Sequence, residues 1–191
     1  MNTRYKEITP ITIQLLKPIQ GLCNSLFAQD FENTSKIRSS SFENGFSISI
    51  IILCFIILQS YINTLKRQQL NNKESINALT ESKKFKELNN VRNAIIHSHL
   101  YEVEYNYDNN FNEKDILINR IPGYGDKKIK NNQKGEKTEL LKMNIVPTKL
   151  GKKDVKIFIK TTLDILEDIN AQHTPPSPDF KKIKLELTKC L

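Results

Sequence analysis

Apolar residues recur along this chain with the spacing of amphipathic α-helices in three separate stretches. In residues 11–30, 75–104 and 152–173 they return every three or four positions, which places them on one side of a helix. The stretch 75–104 forms either one helix or two consecutive pieces. Pro175-Pro176 predicts the end of the last of these helices. The tail after it alternates lysine with isoleucine and leucine, and this pattern predicts a short helix or strand docked on the rest.

Residues 42–70 predict a further helix that is apolar on every side. Its centre, residues 46–62, reads FSISIIILCFIILQSYI, and Lys66 and Arg67 follow. A helix buried in the middle of a bundle has this composition. A membrane span has it too, although about 20 apolar residues are usual there. Because the unbroken apolar run covers only residues 50–58, a buried core helix is favoured and a membrane anchor is the alternative.

Residues 106–151 differ in composition from the helical stretches, because asparagine, glycine and lysine are prominent in them. Two short apolar runs within them, residues 116–118 and 140–146, could pair as strands. We therefore predict an all-α bundle of four to five helices, with a basic loop or short β-hairpin inserted before the last long helix. The bundle forms a single domain over residues 1–191, and its core covers about 42–173.

The positive charge of the chain is concentrated in one region. The formal net charge is +8, and residues 120–156 hold eleven Lys or Arg against four Asp or Glu. Such an excess favours a polyanionic partner, either nucleic acid or an acidic membrane surface. A lysine- and asparagine-rich composition imposed by an AT-rich genome is the alternative explanation, so charge alone does not name the partner.

The cysteines and the N-terminal residues predict a cytoplasmic protein. Cys23, Cys54 and Cys190 lie far apart in the sequence among apolar neighbours, and they lack the spacing of a zinc site. Three such cysteines predict reduced, buried thiols, and no metal or cofactor is expected. Residues 1–7 carry no apolar signal core, so secretion is not expected.

One short run, Val91-Arg92-Asn93-Ala94-Ile95-Ile96-His97, carries candidate chemistry inside the helix predicted for residues 75–104. On a helical projection Arg92 points into the apolar arc, while Asn93 and His97 form an i,i+4 pair. A buried arginine is costly unless it is paired or faces a cleft or an interface. The alternative is that Arg92 bends around the helix edge and that His97 is an ordinary half-buried residue.

This run resembles the R-x4-6-H motif, in its Arg-Asn-x-x-x-His form, of the HEPN superfamily (higher-eukaryote and prokaryote nucleotide-binding domains). The order of elements is similar as well: an apolar helix precedes the motif helix, and an amphipathic helix follows a variable loop. The resemblance covers about residues 42–170. It implies a HEPN-like bundle that acts as a cytoplasmic homodimer, in a toxin–antitoxin or abortive-infection system with a cognate antitoxin or defence partner.

The resemblance also implies roles for the motif residues in a metal-independent endoribonuclease. Two motif helices would meet in the dimer and build a shared cleft. There His97 would transfer protons to and from the ribose 2′-hydroxyl and the leaving 5′-oxygen. Arg92 would hold the scissile phosphate, and Asn93 would orient His97 or contact the phosphate. A catalytically silent HEPN domain that binds nucleic acid or a protein partner is the alternative.

The chain departs from the family pattern at two positions. Members paired with a nucleotidyltransferase antitoxin often carry a tyrosine two residues after the histidine, as the site of AMP attachment. Here His99 takes that place, and Tyr101 is the nearest tyrosine. The acidic position on the preceding helix is Gln59 in this chain. We treat these three residues as auxiliary candidates.

The basic insertion supplies candidate RNA contacts. Four lysines could follow an RNA backbone and one tyrosine could stack on a base, namely Lys127, Lys128, Lys130, Lys134 and Tyr124. The alternative is a solvated loop whose charges only aid solubility. RNA is thus the expected partner, and a membrane is the less favoured one.

Overall fold

The computed structural model describes residues 11–31, 39–68, 77–78, 80–97, 101–107, 113–120, 137–171 and 178–191. Within them five α-helices carry the fold: α1 (Thr12–Phe27), α2 (Ser41–Gln68), α3 (Lys83–Ile96), α4 (Lys152–Asn170) and α5 (Pro178–Thr188). Two antiparallel strands, β1 (Tyr101–Tyr107) and β2 (Glu113–Arg120), lie between α3 and α4 in the chain. The mostly helical architecture confirms the all-α prediction, and the hairpin before α4 agrees with the predicted insertion.

Helices α2 and α4 run parallel to each other at the centre of the bundle. At one end the backbone N–H of Lys152 donates to the carboxylate of Glu43 at 2.9 Å. At the other end the Tyr61 hydroxyl donates to Asn170 Oδ1 at 3.4 Å. Each pair joins the corresponding ends of the two helices, so the chain passes through both in the same direction.

Helices α1 and α5 complete the bundle. Thr12 at the start of α1 donates to Ser60 late in α2 at 3.0 Å. Lys152 bonds both to Gln29, just after α1, and to Glu43, near the start of α2, so α1 is antiparallel to α2. Lys184 of α5 pairs with Glu167 of α4 at 2.9 Å. All five helices contribute fully buried side chains to one core, among them Leu16, Ile50, Leu88, Phe158 and Ile183. The core therefore extends beyond residues 42–173 at both ends of the chain.

The motif helix α3 is shorter than the pattern over residues 75–104 predicts. It runs from Lys83 to Ile96 and is capped by Ser82, whose Oγ accepts the N–H of Phe85 at 3.2 Å. The predicted end at residue 104, whether of one helix or of a second piece, is wrong, because β1 starts at Tyr101. From Tyr101 onward aromatic and aliphatic residues alternate with glutamate and asparagine, which is the period of a strand.

Of the two strands predicted to pair within the insertion, only one is a strand in the structure. Residues 116–118 do form a strand, but β2 pairs with β1, with Val103 opposite Ile118. Residues 140–146 form no strand; residues 139–141 make a tight turn, and an antiparallel bridge between Lys137 and Asn144 closes it. β1 lies nearer to β2 in the sequence than residues 140–146 do. The shorter loop costs less entropy to close, so β2 pairs with β1.

The end of the predicted insertion packs as part of the bundle. Met143 and Leu150 are fully buried in the core. Both carboxylate oxygens of Glu87 on α3 accept backbone N–H groups, from Leu140 at 2.6 Å and from Leu141 at 2.7 Å. We call residues 137–150 the strap, because they join α3 to the start of α4.

Helix α2 is the described helix that is long and apolar enough to cross a membrane. The qualifying stretch is Ser41–Arg67; its most apolar window of 18 residues has a mean hydropathy of 2.2, and half of that window is buried inside the protein. The buried side packs against α1, α3 and α4, in agreement with the core helix predicted for residues 42–70. The fold is compatible with a soluble protein.

Candidate functional site

The three motif residues lie on the last turns of α3. Leu88 and Val91 are fully buried on one side of this helix, and Arg92 and Asn93 are half-buried beside them. His97 follows as the residue that caps the C-terminal end, and it is exposed. The site therefore forms where the buried face of α3 gives way to solvent.

Arg92 is held by an aromatic ring and an amide. Its guanidinium lies over the ring of Phe55 on α2, 5.6 Å from the ring centroid, and Phe85 packs against the same ring at 5.8 Å. Its Nη1 donates to Asn93 Oδ1 at 2.7 Å. A cation over an aromatic face gains about 0.5–2 kcal/mol, depending on how far it is desolvated. These contacts agree with the projection that points Arg92 toward the apolar arc.

No carboxylate among the described residues pairs with Arg92. Its charge is balanced neither by Glu87, which binds the strap, nor by another acid of the described bundle. A guanidinium has five N–H donors, and the hydrogen bond to Asn93 uses one of them. Arg92 can therefore bind an anion with the remaining donors.

His97 lies one turn beyond Asn93 and is joined to it through the backbone. The N–H of His97 donates to the carbonyl oxygen of Asn93 at 2.9 Å, which ends the helix. The Asn93 side-chain oxygen is taken by Arg92, so the amide positions the arginine in this structure. The expectation that Asn93 orients His97 is not tested by these contacts.

The remaining predicted site residues are only partly described. Gln59 is exposed on α2, one turn after Phe55. Tyr101 begins the backbone of β1. The others lie outside the described residues, namely His99, Tyr124, Lys127, Lys128, Lys130 and Lys134. The structure thus brings Arg92 and Asn93 together, places His97 at the end of their helix, and leaves the RNA contacts as a prediction.

Sequence reasoning missed Phe55 and Glu87. Phe55 was counted only as part of an apolar helix, although it provides the ring that supports Arg92. Glu87 was not singled out, yet it is a buried acid on the motif helix. Its place on the apolar side of the predicted helix was a signal, because a buried carboxylate requires partners.

The three cysteines, distant in sequence, lie close together in the fold. All are buried and free. A hydrogen bond between the Cys23 and Cys190 sulfurs has the largest effect on the pKa of each, raising that of Cys23 and lowering that of Cys190. Burial raises the pKa of Cys54. Among the described residues no group of three or more His, Cys, Asp or Glu is placed to hold a metal ion.

Comparisons with known proteins identify no relative. No family model matches the chain, and neither a curated protein nor a solved structure matches it.

Proposed function

We propose that this chain is a metal-independent endoribonuclease of the HEPN type, acting as a cytoplasmic homodimer in defence or as a toxin. Arg92 binds the scissile phosphate, and His97 serves as general acid and base. The 2′-hydroxyl attacks the adjacent phosphorus, the bond to the 5′-oxygen breaks, and the products carry a 2′,3′-cyclic phosphate and a 5′-hydroxyl. The substrate is RNA, because DNA lacks the attacking group.

The observation that carries this proposal is the half-buried guanidinium of Arg92 without a described carboxylate partner. A planar cation with several fixed donors suits a phosphodiester, which presents two oxygens and gains negative charge as the 2′-oxygen adds. Phe55 and Asn93 restrict the guanidinium, so less side-chain freedom is lost when the phosphate binds. An ordinary surface arginine offers no such preorganisation.

His97 supports the proposal through its position. It lies one turn after the phosphate-binding pair, and it is exposed to solvent and therefore to a substrate. An imidazole has two ring nitrogens that can accept or donate a proton, so it can take a proton from the 2′-hydroxyl or give one to the leaving oxygen. Each such transfer contributes about 10²–10⁴-fold to the rate.

The dimer is supported by apolar side chains exposed beside the site. Ile96, one turn after Arg92, is 46% exposed, and Ile56, the neighbour of Phe55, is 38% exposed. A second copy packed on this face would cover both isoleucines. It would also place two Arg92–His97 sets near one shared cleft.

The test is cleavage of mixed RNA by the purified protein in the presence of EDTA. The wild type should cut RNA and leave 2′,3′-cyclic phosphate ends. Arg92→Ala and His97→Ala should each lower the cleavage rate by about 10²-fold or more. Arg67→Ala, which removes an exposed arginine from the last turn of α2, is the matched control and should cleave like the wild type.

Two results would contradict the proposal. Cleavage that EDTA abolishes would require a different chemistry, and wild-type rates in both motif variants would place the activity elsewhere. If folded wild-type protein leaves all RNA intact but shifts it in a binding assay, the chain is instead a silent domain that binds nucleic acid. Helical circular dichroism spectra of all variants would show that each protein is folded.

A further inference from the structure

Two cysteines meet where α1 lies against α5 and the residues that follow it. Glu186 of α5 accepts a hydrogen bond from Gln20 of α1, and Lys17 lies 3.9 Å from the same carboxylate. Cys23 follows Gln20 by one turn and Cys190 follows Glu186 by one turn, so the two cysteines lie at the same end of the contact between α1 and α5 and line one cavity. The Cys190 thiol also contacts the Glu186 carbonyl oxygen at 3.7 Å.

Both sulfurs border a cavity of about 630 Å³. The cavity lies between α1, the first turns of α4 and the residues after α5. Four lysines line it and its lining contains no carboxylate side chain; the lysines are Lys152, Lys153, Lys156 and Lys189. Cys23 is 1% exposed and Cys190 is 3% exposed, so the cavity is their route to small solutes. The thiolate is the nucleophilic form of a cysteine.

The two thiols differ in acidity. The hydrogen bond from Cys23 lowers the pKa of Cys190, although burial and the charge of Glu186 oppose this effect. The same hydrogen bond raises the pKa of Cys23, and burial raises it further. Cys190 is therefore the attacking sulfur and Cys23 its resolving partner. Thiols that sense oxidants are commonly arranged in this way, with an acidic cysteine beside a second one.

We propose that Cys23 and Cys190 form a redox pair that hydrogen peroxide converts into an intramolecular disulfide, which ties the residues after α5 to α1. At rest both residues are free thiols, as in a reducing compartment. The pair lies apart from the motif on α3 and does not depend on the proposed ribonuclease activity.

The reaction proceeds in two steps. The Cys190 thiolate attacks one peroxide oxygen, the O–O bond breaks, and the departing hydroxide takes up a proton to become water. This leaves a sulfenic acid on Cys190. The Cys23 sulfur then attacks the Cys190 sulfur, the S–S bond forms, the S–O bond breaks, and the Cys23 proton leaves with the hydroxyl as a second water. The two thiols lose two electrons, and one peroxide accepts them.

Cys54 provides a matched control within the same chain. It lies in the middle of α2, is fully buried, and is not among the residues that line the cavity. Burial raises its pKa, which disfavours the thiolate. Peroxide should therefore leave this third thiol unchanged.

The experiment is mass spectrometry of the full chain after brief treatment with hydrogen peroxide. The protein is quenched, unfolded and alkylated with N-ethylmaleimide. Alkylation should fall from three thiols to one, and the intact mass before alkylation should decrease by two hydrogen atoms. Peptide mapping should find Cys23 linked to Cys190, and dithiothreitol should reverse the link.

Variants assign the roles of the three cysteines. Cys54→Ser should form the same disulfide as the wild type. Cys190→Ser should form none, and Cys23→Ser should retain a sulfenic acid on Cys190 that dimedone traps. Three alkylated thiols in the treated wild type, or a disulfide that includes Cys54, would overturn the proposal. Peptide mapping of the wild type needs no substitution, so it tests the Cys23–Cys190 disulfide even if a variant fails to fold.

Discussion

Gly151 precedes α4, and its missing side chain leaves room for a buried carboxylate. A Cβ at this position would lie 2.6 Å from Glu43 Oε1 and 3.2 Å from Ser39 Oγ. Glu43 accepts the first N–H of α4, from Lys152, and its other oxygen is buried without a partner among the described residues. The glycine is thus required by the close approach of α2 to the start of α4.

Gly151→Ala should destabilise the protein by about 1–3 kcal/mol, because the added methyl displaces a buried carboxylate from its hydrogen bond. Urea unfolding followed by circular dichroism measures the change. The control is Gly45→Ala on α2, where an added Cβ meets nothing within 4 Å. That substitution should stabilise the helix by up to about 1 kcal/mol. Equal effects at both positions would contradict the steric explanation.

The strap couples two helices through one side chain of α3. Glu87 accepts two backbone N–H groups of the strap, and Asp154 of α4 accepts the backbone N–H of Asn144 at 2.8 Å and its side-chain amide at 2.9 Å. Lys142 between them has a φ of 56°, which an L-residue adopts only at a cost. The motif helix is therefore positioned partly by residues about 50 positions later in the chain.

Glu87→Gln should destabilise the protein by about 2–3 kcal/mol, because the amide keeps the shape but turns an N–H group toward a strap donor. Urea unfolding gives the energy, and hydrogen exchange at Leu140 and Leu141 should become faster. Glu81→Gln is the matched control, since Glu81 is an exposed carboxylate that pairs with Lys86. Its urea midpoint should hardly change. Unaltered exchange in the strap would contradict the role of Glu87.

For the whole molecule, the proposed dimer predicts a soluble particle that needs no detergent. Light scattering should give twice the chain mass of 22.1 kDa. Ile96→Asp should yield a folded monomer with little ribonuclease activity, because a charge then faces the partner's apolar surface. Leu185→Asp, at a residue 58% exposed on α5, should remain dimeric. Recovery of the wild type only with membranes would favour the alternative of an anchor at residues 46–62.

Structural features that depend on local periodicity could be predicted from the sequence. Features that depend on contacts between residues far apart in the chain were missed. The helices over residues 11–30 and 152–173 were found from their apolar spacing, and the helix over residues 42–70 from its continuous apolar run. The strand at Tyr101 was missed although its alternation was visible, since the preceding helical pattern was extended over it. The bond between Glu87 and the strap could not be predicted, because no local pattern indicates which backbone group a buried carboxylate will meet.

One part of the candidate site could be predicted from local periodicity, and another part could not. Helical projection placed Arg92 toward the apolar arc, and its guanidinium does lie against Phe55. The ring itself comes from another helix, 37 positions earlier, and periodicity within α3 carries no information about it. The contact between Cys23 and Cys190 is more distant still, and it becomes visible only when both ends of the chain are packed together.

The parallel course of α2 and α4 has a consequence for how the chain folds. Each of the two hydrogen bonds that join these helices spans 109 positions. Pairing of this kind closes a long loop before it gains any contact energy, so it is expected late in folding and slows the overall rate. Once the loop is long, a doubling of its length adds only about 0.6 kcal/mol. The stretch between β2 and the strap can therefore change in length with little effect on the stability of the bundle.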